Sequence, residues 1–433
     1  MYRKAINDLM KWKNTKNHMP LIIRGARQVG KTWLMKEFGK QAYKKVAYIS
    51  FDDAPRLESL FKQDMNIKRI IDGLGIEVGF SITPEDTLII FDEIQENPLA
   101  LTSLKYFCEN APEYDIIAAG SLLGVTHHKG TGFPVGKVEY LNLYPLNFQE
   151  FLIAVGEKQL LEIIQNNNFE MQKVFKDKII DLLRRYCYVG GMPKVVSLYA
   201  ENRDYQEVRK LQNNILNDYE NDFSKHISPE QVERTRLLWQ AIPSQLIKEN
   251  KKCVYGRIKE GARSKDFEVS LNWLIDSGLV HKVSRVTDPK MPLKAYEDVS
   301  AYKLFLLDVG LLGAMTEIDV RSLLENDKLF NDYNGAITEQ YVLQEFKTLG
   351  DLPVFYWARN RTELDFVIQL KNEVIPVEAK ATINLKAKSL KSFRQKYEPK
   401  ISIRTSLADY EENNRLFNIP LYDIGNVKQI FAQ

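Results

Sequence analysis

The chain has 433 residues, of which 44% are hydrophobic and 27% charged, and its formal net charge is +3. This composition excludes wholesale disorder, and the length predicts about two to four domains at roughly 100–200 residues each. So small a positive charge neither requires nor excludes a nucleic-acid partner, because a basic surface has to be local to bind phosphates.

The cysteines and the apolar segments bear on the compartment. Three cysteines, Cys108, Cys187 and Cys253, lie far apart in the sequence. Their odd number and spacing are typical of a reducing compartment and predict neither a disulfide framework nor a zinc site. The first residues lack the apolar centre of a signal peptide, and no uncharged apolar stretch reaches the roughly 18 residues that cross a bilayer. We expect a cytoplasmic protein with no membrane partner.

The first predicted strand, Leu21–Arg24, leads into a glycine-rich loop. The loop reads Gly25-Ala26-Arg27-Gln28-Val29-Gly30-Lys31-Thr32, followed by Trp33. Its spacing is that of a phosphate-binding loop, in which backbone N–H groups approach the phosphates at the start of a helix. Lys31 is predicted to reach the β and γ oxygens and to act in catalysis, and Thr32 to present its hydroxyl to Mg²⁺. These residues predict binding of a nucleoside triphosphate.

Further apolar runs alternate with helical patterns as far as about Tyr144, which predicts a parallel sheet in an α/β nucleotide-binding domain. The runs are Val46–Phe51, Thr87–Phe91 and Asp115–Ala119. The middle run is followed by Asp92 and Glu93. Asp92 is predicted to hold Mg²⁺ through water and Glu93 to orient and polarise the attacking water. A surface Asp-Glu pair at a strand end is the alternative interpretation.

The next strand is followed by Gly120 and Ser121. Ser121 has the position at which this class of ATPase keeps a polar residue that senses the γ-phosphate, while a helix-capping serine after a glycine turn is the alternative. An arginine finger has no spacing signature. Arg184, Arg185 and Arg263 are candidates, with ordinary surface or salt-bridging roles as the alternative.

After Tyr144 the pattern becomes helical, which predicts a lid or subdomain. The predicted helices cover Phe148–Val155, Leu160–Asn166, Val174–Tyr188 and Val195–Phe223. Three helical patterns then occur from Ile242, the third over Lys265–Ser277, and strand-like runs follow at His281–Val286 and Leu304–Leu307. This order is typical of a winged helix.

A second α/β domain is predicted from Tyr333. Its elements are a helix, Ala336–Lys347, a strand, Val354–Ala358, and a hairpin of Glu363–Gln369 and Val374–Ala381. Asp365 lies in one strand of the hairpin, and Glu378 and Lys380 lie on one face of the next. The two acids could bind Mg²⁺ while Lys380 stabilises charge at a phosphodiester, with Glu339 on the helix as a further ligand. Charges on a solvated edge strand are the alternative.

A basic stretch follows the hairpin. It could contact a phosphate backbone, although a solvated helix face is the favoured interpretation. Its residues are Lys386, Lys388, Lys391, Arg394 and Lys396, with Phe393 and Tyr397 interleaved.

Nearly the whole chain resembles the prokaryotic AAA-type ATPases that carry a carboxyl-terminal domain of unknown function, DUF4143. The resemblance rests on residues 24–32, Phe91-Asp92-Glu93-Ile94-Gln95, Leu143-Tyr144-Pro145-Leu146-Asn147-Phe148, Gly190-Gly191-Met192-Pro193, Glu363-Leu364-Asp365-Phe366 and Val377-Glu378-Ala379-Lys380. It supports ATP binding, and with the Mg²⁺ roles of Thr32 and Asp92 the expected cofactors are ATP and Mg²⁺. It also implies a restriction-endonuclease-like fold, whose active site has an acid and then Glu-x-Lys. Asp365, Glu378 and Lys380 match that pattern, and Glu339 matches the helix acid that often precedes it.

The expected α/β fold is therefore a P-loop AAA-type ATPase core (1–145), a helical lid (146–230), a winged-helix-like domain (231–330) and a restriction-endonuclease-like domain (331–433). The expected function is Mg²⁺-dependent ATP hydrolysis that switches contacts with double-stranded DNA, a protein partner or further copies of the chain. An ATP-regulated nuclease and a non-cleaving signalling or defence switch are the alternatives.

Overall fold

The computed structural model describes residues 1–120, 132–248, 252–320, 333–359, 362–383 and 387–431. The chain divides into two compact units. The amino-terminal unit comprises Arg3–Tyr144 and Asp276–Gly278, and the carboxyl-terminal unit comprises Met1–Tyr2, Pro145–Ile275 and Leu279–Gln433. In the described part of the chain, no helix is both long enough and apolar enough to span a membrane.

The amino-terminal unit is built on a parallel sheet. Its strands are β1 (Leu21–Arg24), β2 (Lys45–Ser50), β3 (Thr87–Asp92), β4 (Ile116–Ala119) and β5 (Glu139–Asn142). Its helices are α1 (Ala5–Asn14), α2 (Lys31–Ala42), α3 (Glu58–Lys62), α4 (Ile67–Val78) and α5 (Pro98–Asn110). The strand order is β2-β3-β4-β1-β5, and every pairing is parallel. The predicted α/β core is confirmed.

How deeply each strand is buried explains whether the sequence predicted it. β3 and β4 are buried at every position, as their continuous apolar runs predict for parallel strands. β5 lies at the edge of the sheet, and its burial alternates with exposure. With the short sequence Glu-Tyr-Leu-Asn, it carries too little apolar signal to have been predicted.

Most of the remaining helices precede the second sheet. They are α6 (Phe148–Ala154), α7 (Lys158–Gln165), α8 (Phe169–Val174), α9 (Lys176–Val189), α10 (Pro193–Asn202), α11 (Tyr205–His226), α12 (Pro229–Leu246), α13 (Ser264–Asp276), α14 (Val309–Met315), α15 (Tyr333–Lys347), α16 (Lys388–Tyr397) and α17 (Val427–Ile430). The single helix predicted over Val195–Phe223 is wrong, because α10 ends at Asn202 and the next residue, Arg203, has a φ of 56°. Asp204 then caps α11 by accepting hydrogen bonds from the amides of Gln206 and Glu207.

The second sheet is mixed. Its strands are β6 (Val280–Val286), β7 (Glu297–Leu306), β8 (Val354–Arg359), β9 (Thr362–Leu370), β10 (Glu373–Ala379), β11 (Ser402–Ser406), β12 (Glu411–Asn413) and β13 (Leu416–Pro420). They lie in the order β12-β13-β11-β10-β9-β8-β6-β7. The two strands expected in a wing, β6 and β7, pair with each other, and β6 also pairs with β8. The winged-helix-like domain and the other domain boundaries stay predictions.

A buried carboxylate joins distant segments of the carboxyl-terminal unit. Asp308 is fully buried and accepts hydrogen bonds from the amides of Gly191 at 2.6 Å and Leu311 at 3.0 Å, and from the side chain of Gln344 at 3.3 Å. Gln344 also donates to the Tyr186 hydroxyl at 2.9 Å. Burial raises the pKa of Asp308 to about 6, although these donors favour its charged form. Gly191 is therefore held by Asp308, which is itself held by Leu311 of α14 and Gln344 of α15.

Candidate functional site

The phosphate-binding loop ends where α2 begins. Gly30 has a φ of 93°, a left-handed conformation that favours glycine, and Lys31 is the first residue of α2. The amides at this helix start and the helix dipole favour an anion. Lys31 is only 6% exposed, and its Nζ donates to the carbonyl oxygens of Gly25 and Ala26, both at 3.0 Å. Burial lowers the pKa of Lys31 to about 8, against the opposing influence of Glu93 and Asp92.

The structure brings Thr32 and Asp92 together. The Thr32 hydroxyl donates to Asp92 Oδ2 at 2.7 Å, and Asp92 is only 3% exposed. Hydroxyl and carboxylate oxygens are ligands that Mg²⁺ prefers, and nucleotide phosphates and water usually complete its coordination. Among the described residues, no group of three or more His, Cys, Asp or Glu side chains could hold a metal ion. A nucleotide-bound Mg²⁺ needs no such group, so Thr32 and Asp92 fit it.

Two further residues bind the acids of this site. The Tyr48 hydroxyl, on β2, donates to Asp92 Oδ2 at 2.9 Å. Gln95 Nε2 donates to Glu93 Oε2 at 2.7 Å, and Glu93 has a φ of 48°. Sequence reasoning missed Tyr48 altogether and quoted Gln95 only as part of a matching segment. Tyr48 is close to Asp92 because β2 pairs with β3, and Gln95 is close to Glu93 because of the turn after β3. The spacing of residues in the sequence reveals neither contact.

A buried arginine also supports the loop. Arg3 is 4% exposed, and its guanidinium donates to the carbonyl oxygens of Val29 at 2.9 Å and Tyr144 at 2.6 Å. No sequence motif marked Arg3, because it lies before the first predicted strand. It links the start of the chain to the loop and to the end of the amino-terminal unit.

The other predicted nucleotide-site residues differ in their surroundings. Arg27 is exposed, Trp33 is 39% exposed, and Gln28 has a φ of 66°. Ser121 lies outside the described residues. Among the predicted arginine-finger candidates, Arg185 binds Asp181 at 2.7 Å, a local pair within α9.

The carboxyl-terminal cluster lies on interior strands. β10 lies between β9 and β11, and Glu339 and Glu378 are only 3% and 4% exposed. The alternative of a solvated edge strand is therefore wrong for Glu378, while Glu339 lies on α15. Lys380 Nζ lies 2.7 Å from Glu378 Oε1, and Asp365 Oδ2 accepts a hydrogen bond from the Ala379 amide at 2.8 Å.

A lysine from β7 also enters this cluster. Lys303 is fully buried, and its Nζ lies 2.6 Å from Glu363 Oε1 and 3.4 Å from Glu339 Oε2. Burial acts to lower the pKa of Lys303, but Glu339, Glu363 and Asp365 raise it above its ordinary value. Sequence reasoning missed Lys303 and did not assign Glu363, because the two residues are distant in the sequence and lie on strands that do not pair with each other.

These contacts bear on the predicted metal site of the carboxyl-terminal cluster. Glu339 Oε2 lies 3.4 Å from Lys303 Nζ, and its role as a metal ligand stays a prediction. Glu378 Oε2 is buried and has no hydrogen-bond partner among the described residues, so it has a lone pair available for a cation. Burial raises the pKa of Glu378, and Lys380 only partly offsets this. The metal-binding roles of Asp365 and Glu378 stay predictions.

The basic stretch forms the exposed face of α16. Lys388, Lys391 and Lys396 are exposed, while Lys386 lies outside the described residues. The interleaved aromatic residues face inwards, since the rings of Phe393 and Tyr397 pack at 5.2 and 5.8 Å from that of Trp357. They contribute to the core and do not form a base-stacking surface.

Comparison with known proteins places the nucleotide site in a family. Residues 17–152 match the model of the AAA domain, and they include the loop, Asp92 and Glu93. The amino-terminal part of the chain is an AAA domain. Residues 180–322 match a domain of unknown function, DUF8612, and residues 334–424 match another, DUF4143. The AAA domain and DUF4143 confirm the expected family, while the restriction-endonuclease-like fold stays a prediction.

The solved structures that resemble the chain are remote. The Walker-type ATPase PABY2304 of Pyrococcus abyssi is 14% identical, with a TM-score of 0.44 over 72% of this chain and 95% of that chain. The ORC1 protein of Aeropyrum pernix, solved in complex with DNA, is 12% identical, with a TM-score of 0.28 over 73% of this chain and 93% of that chain. The sequence matches no curated protein. Similarities with such low TM-scores carry no information about function.

Proposed function

We propose that the chain is a Mg²⁺-dependent ATPase. The observation that carries this proposal is the 2.7 Å hydrogen bond between Thr32 and Asp92, beside a loop whose Lys31 is buried at a helix start. ATP would bind through its phosphates to the loop amides and the Lys31 ammonium. Thr32 and Asp92 would hold Mg²⁺, which supplies charge that stabilises phosphoryl transfer, and Glu93 would orient and polarise the attacking water.

We expect Lys31→Met to weaken ATP binding about 10- to 100-fold, because each hydrogen bond from a charged donor contributes about 1.5–3 kcal/mol. A fluorescent ATP analogue, titrated in the presence of Mg²⁺, measures this affinity. Lys40→Met, on the exposed side of the same helix, is the matched control. If the two variants bound the ATP analogue with equal affinity, Lys31 would have no role in nucleotide binding.

Hydrolysis is proposed to switch contacts with double-stranded DNA or with a protein partner. The exposed lysines of α16 support a polyanionic partner: within the described part of the chain, neither Lys388 nor Lys391 has an acidic partner among the ion pairs. Phosphate release with and without duplex DNA distinguishes the two partners, provided that it is measured at low salt, where phosphate attraction is strongest. Stimulation that disappears at high salt supports DNA, and no stimulation at low salt favours a protein partner.

A second candidate function is metal-dependent phosphodiester cleavage, regulated by ATP. The unpartnered and buried Glu378 Oε2, beside Asp365 and Lys380, favours it. We expect the parent protein to nick plasmid DNA with Mg²⁺ or Mn²⁺, and Asp365→Asn to reduce nicking to the detection limit. Glu411→Gln, on exposed β12, is the control. An inactive parent, with and without ATP and on both DNA and RNA, would leave the domain as a non-cleaving module in a signalling or defence switch.

A further inference from the structure

Tyr48 and Gln95 lie outside the phosphate-binding loop, and each donates a hydrogen bond to one acid of the nucleotide site. We propose that Tyr48 and Gln95 are positioning residues for ATP hydrolysis, Tyr48 for the metal-binding Asp92 and Gln95 for the water-polarising Glu93. This inference rests on the proposed function and divides its two requirements, metal binding and attack by water, between two residues.

Tyr48 reaches Asp92 from the neighbouring strand. β2 and β3 are paired in register, with Tyr48 opposite Ile90 and Ser50 opposite Asp92. The Tyr48 hydroxyl and the Thr32 hydroxyl both donate to Asp92 Oδ2, at 2.9 and 2.7 Å. Thr32 has a second task, since its oxygen is a proposed metal ligand. Tyr48 has none, so its hydroxyl is the donor that remains available to keep Oδ2 in place when the nucleotide is bound.

Other contacts hold Tyr48 in this position. The Lys36 ammonium lies 3.6 Å from the centre of the Tyr48 ring, which is an attractive arrangement for a cation and an aromatic face. The Glu93 amide donates to the other carboxylate oxygen of Asp92, Oδ1, at 3.1 Å. With donors on both oxygens, the Asp92 carboxylate is fixed in orientation before a metal ion binds. Such outer partners typically set how tightly a metal site binds.

Gln95 holds Glu93 within the turn that follows β3. Its Nε2 donates to Glu93 Oε2 at 2.7 Å, across a left-handed backbone at Glu93. The other end of the same amide, Gln95 Oε1, is buried and has no hydrogen-bond partner among the described residues. A buried acceptor without a partner costs free energy. Because the position of Gln95 has this cost, we assign a function to its hydrogen bond with Glu93: it orients the Glu93 carboxylate towards the attacking water.

The experiment measures Mg²⁺ half-saturation, ATP half-saturation and kcat for the full chain and four variants. For Tyr48→Phe we expect the Mg²⁺ concentration at half-saturation to rise about tenfold, with kcat at saturating Mg²⁺ unchanged. Tyr43→Phe is the matched control, because it also removes a hydroxyl bonded to a carboxylate, that of Asp115, at 2.6 Å. If both variants had the same Mg²⁺ half-saturation, Tyr48 would have no positioning role.

For Gln95→Leu we expect the opposite division: kcat lower by about 10- to 100-fold, with both half-saturation values unchanged. Gln41→Leu is the control, since Gln41 Nε2 donates to Glu37 Oε1 at the same distance of 2.7 Å on the exposed side of α2. A structural role alone would lower the unfolding temperature of Gln95→Leu without this loss of kcat. That result would overturn the assignment.

The outcomes also separate this inference from the proposed function. A parent protein that releases no phosphate would overturn the proposed function and, with it, the role of Gln95. If the parent were active and Glu93→Gln inactive, while Tyr48→Phe and Gln95→Leu both matched the parent, only the positioning roles would be wrong.

Discussion

Glu93→Gln should bind ATP as the parent does and hydrolyse it about 10²–10⁴-fold more slowly, the usual contribution of a positioned acid or base. A neutral amide keeps the size of the side chain but cannot polarise or deprotonate water as a carboxylate does. Because the ammonium of Lys31 and the hydroxyl of Thr32 are untouched, nucleotide binding should be retained. Single-turnover phosphate release measures hydrolysis, and the fluorescent ATP analogue measures binding.

Glu113→Gln provides the control for this change, since Glu113 is an exposed glutamate of the same unit. It should leave both quantities as they are in the parent. Hydrolysis by Glu93→Gln at the parent rate would show that another residue polarises the water. A loss of ATP binding would show instead that the substitution disturbs the loop.

Gly191→Ala should destabilise the carboxyl-terminal unit by about 3–5 kcal/mol, from overpacking and from the loss of a buried hydrogen bond. A Cβ at this position would lie 2.0 Å from the carbonyl oxygen and 2.8 Å from the amide nitrogen of Leu146, and backbone atoms cannot rotate away. Any shift would also lengthen the 2.6 Å hydrogen bond from the Gly191 amide to Asp308. Such a loss is a large part of the roughly 5–15 kcal/mol that stabilises a folded protein.

Urea unfolding followed by circular dichroism measures the effect. Gly256→Ala is the control, because an added Cβ there meets no described atom within 4 Å, and it should change stability by less than about 1 kcal/mol. Equal stability of the two variants would mean that the backbone around Leu146 yields at little cost.

The features that the sequence predicts well are those encoded by neighbouring residues. The loop from Gly25 to Thr32 and the acids after β3 are local patterns, because a helix start and a strand end each depend on a few consecutive residues. The hairpin of β9 and β10 is of the same kind. Its prediction is confirmed in position to within one or two residues.

The features that the sequence does not predict depend on contacts between distant segments. Lys303 on β7 lies 2.6 Å from Glu363 on β9, although β6 and β8 come between these strands in the order of the sheet, and no spacing rule connects residue 303 with residue 363. Tyr48 is similar, since a tyrosine in a strand is ordinary until its neighbour across the sheet is known. The break between α10 and α11 was missed for a different reason. Arg203 adopts a left-handed conformation without a glycine or proline to mark it.

The buried carboxylate of Asp308 has a consequence for how the protein can be divided. The Phe148 amide donates to Glu345 at 2.8 Å, and Gln172 donates to Asp423 at 3.1 Å, so α6 and α8 depend on acceptors close to the end of the chain. Gly191 depends in the same way on Asp308. A truncation after residue 230 or 330 would leave buried donors without acceptors and remove the partners of a whole helical layer. We therefore expect residues 146–230 to reach their final structure only after the chain has been synthesised as far as Asp423.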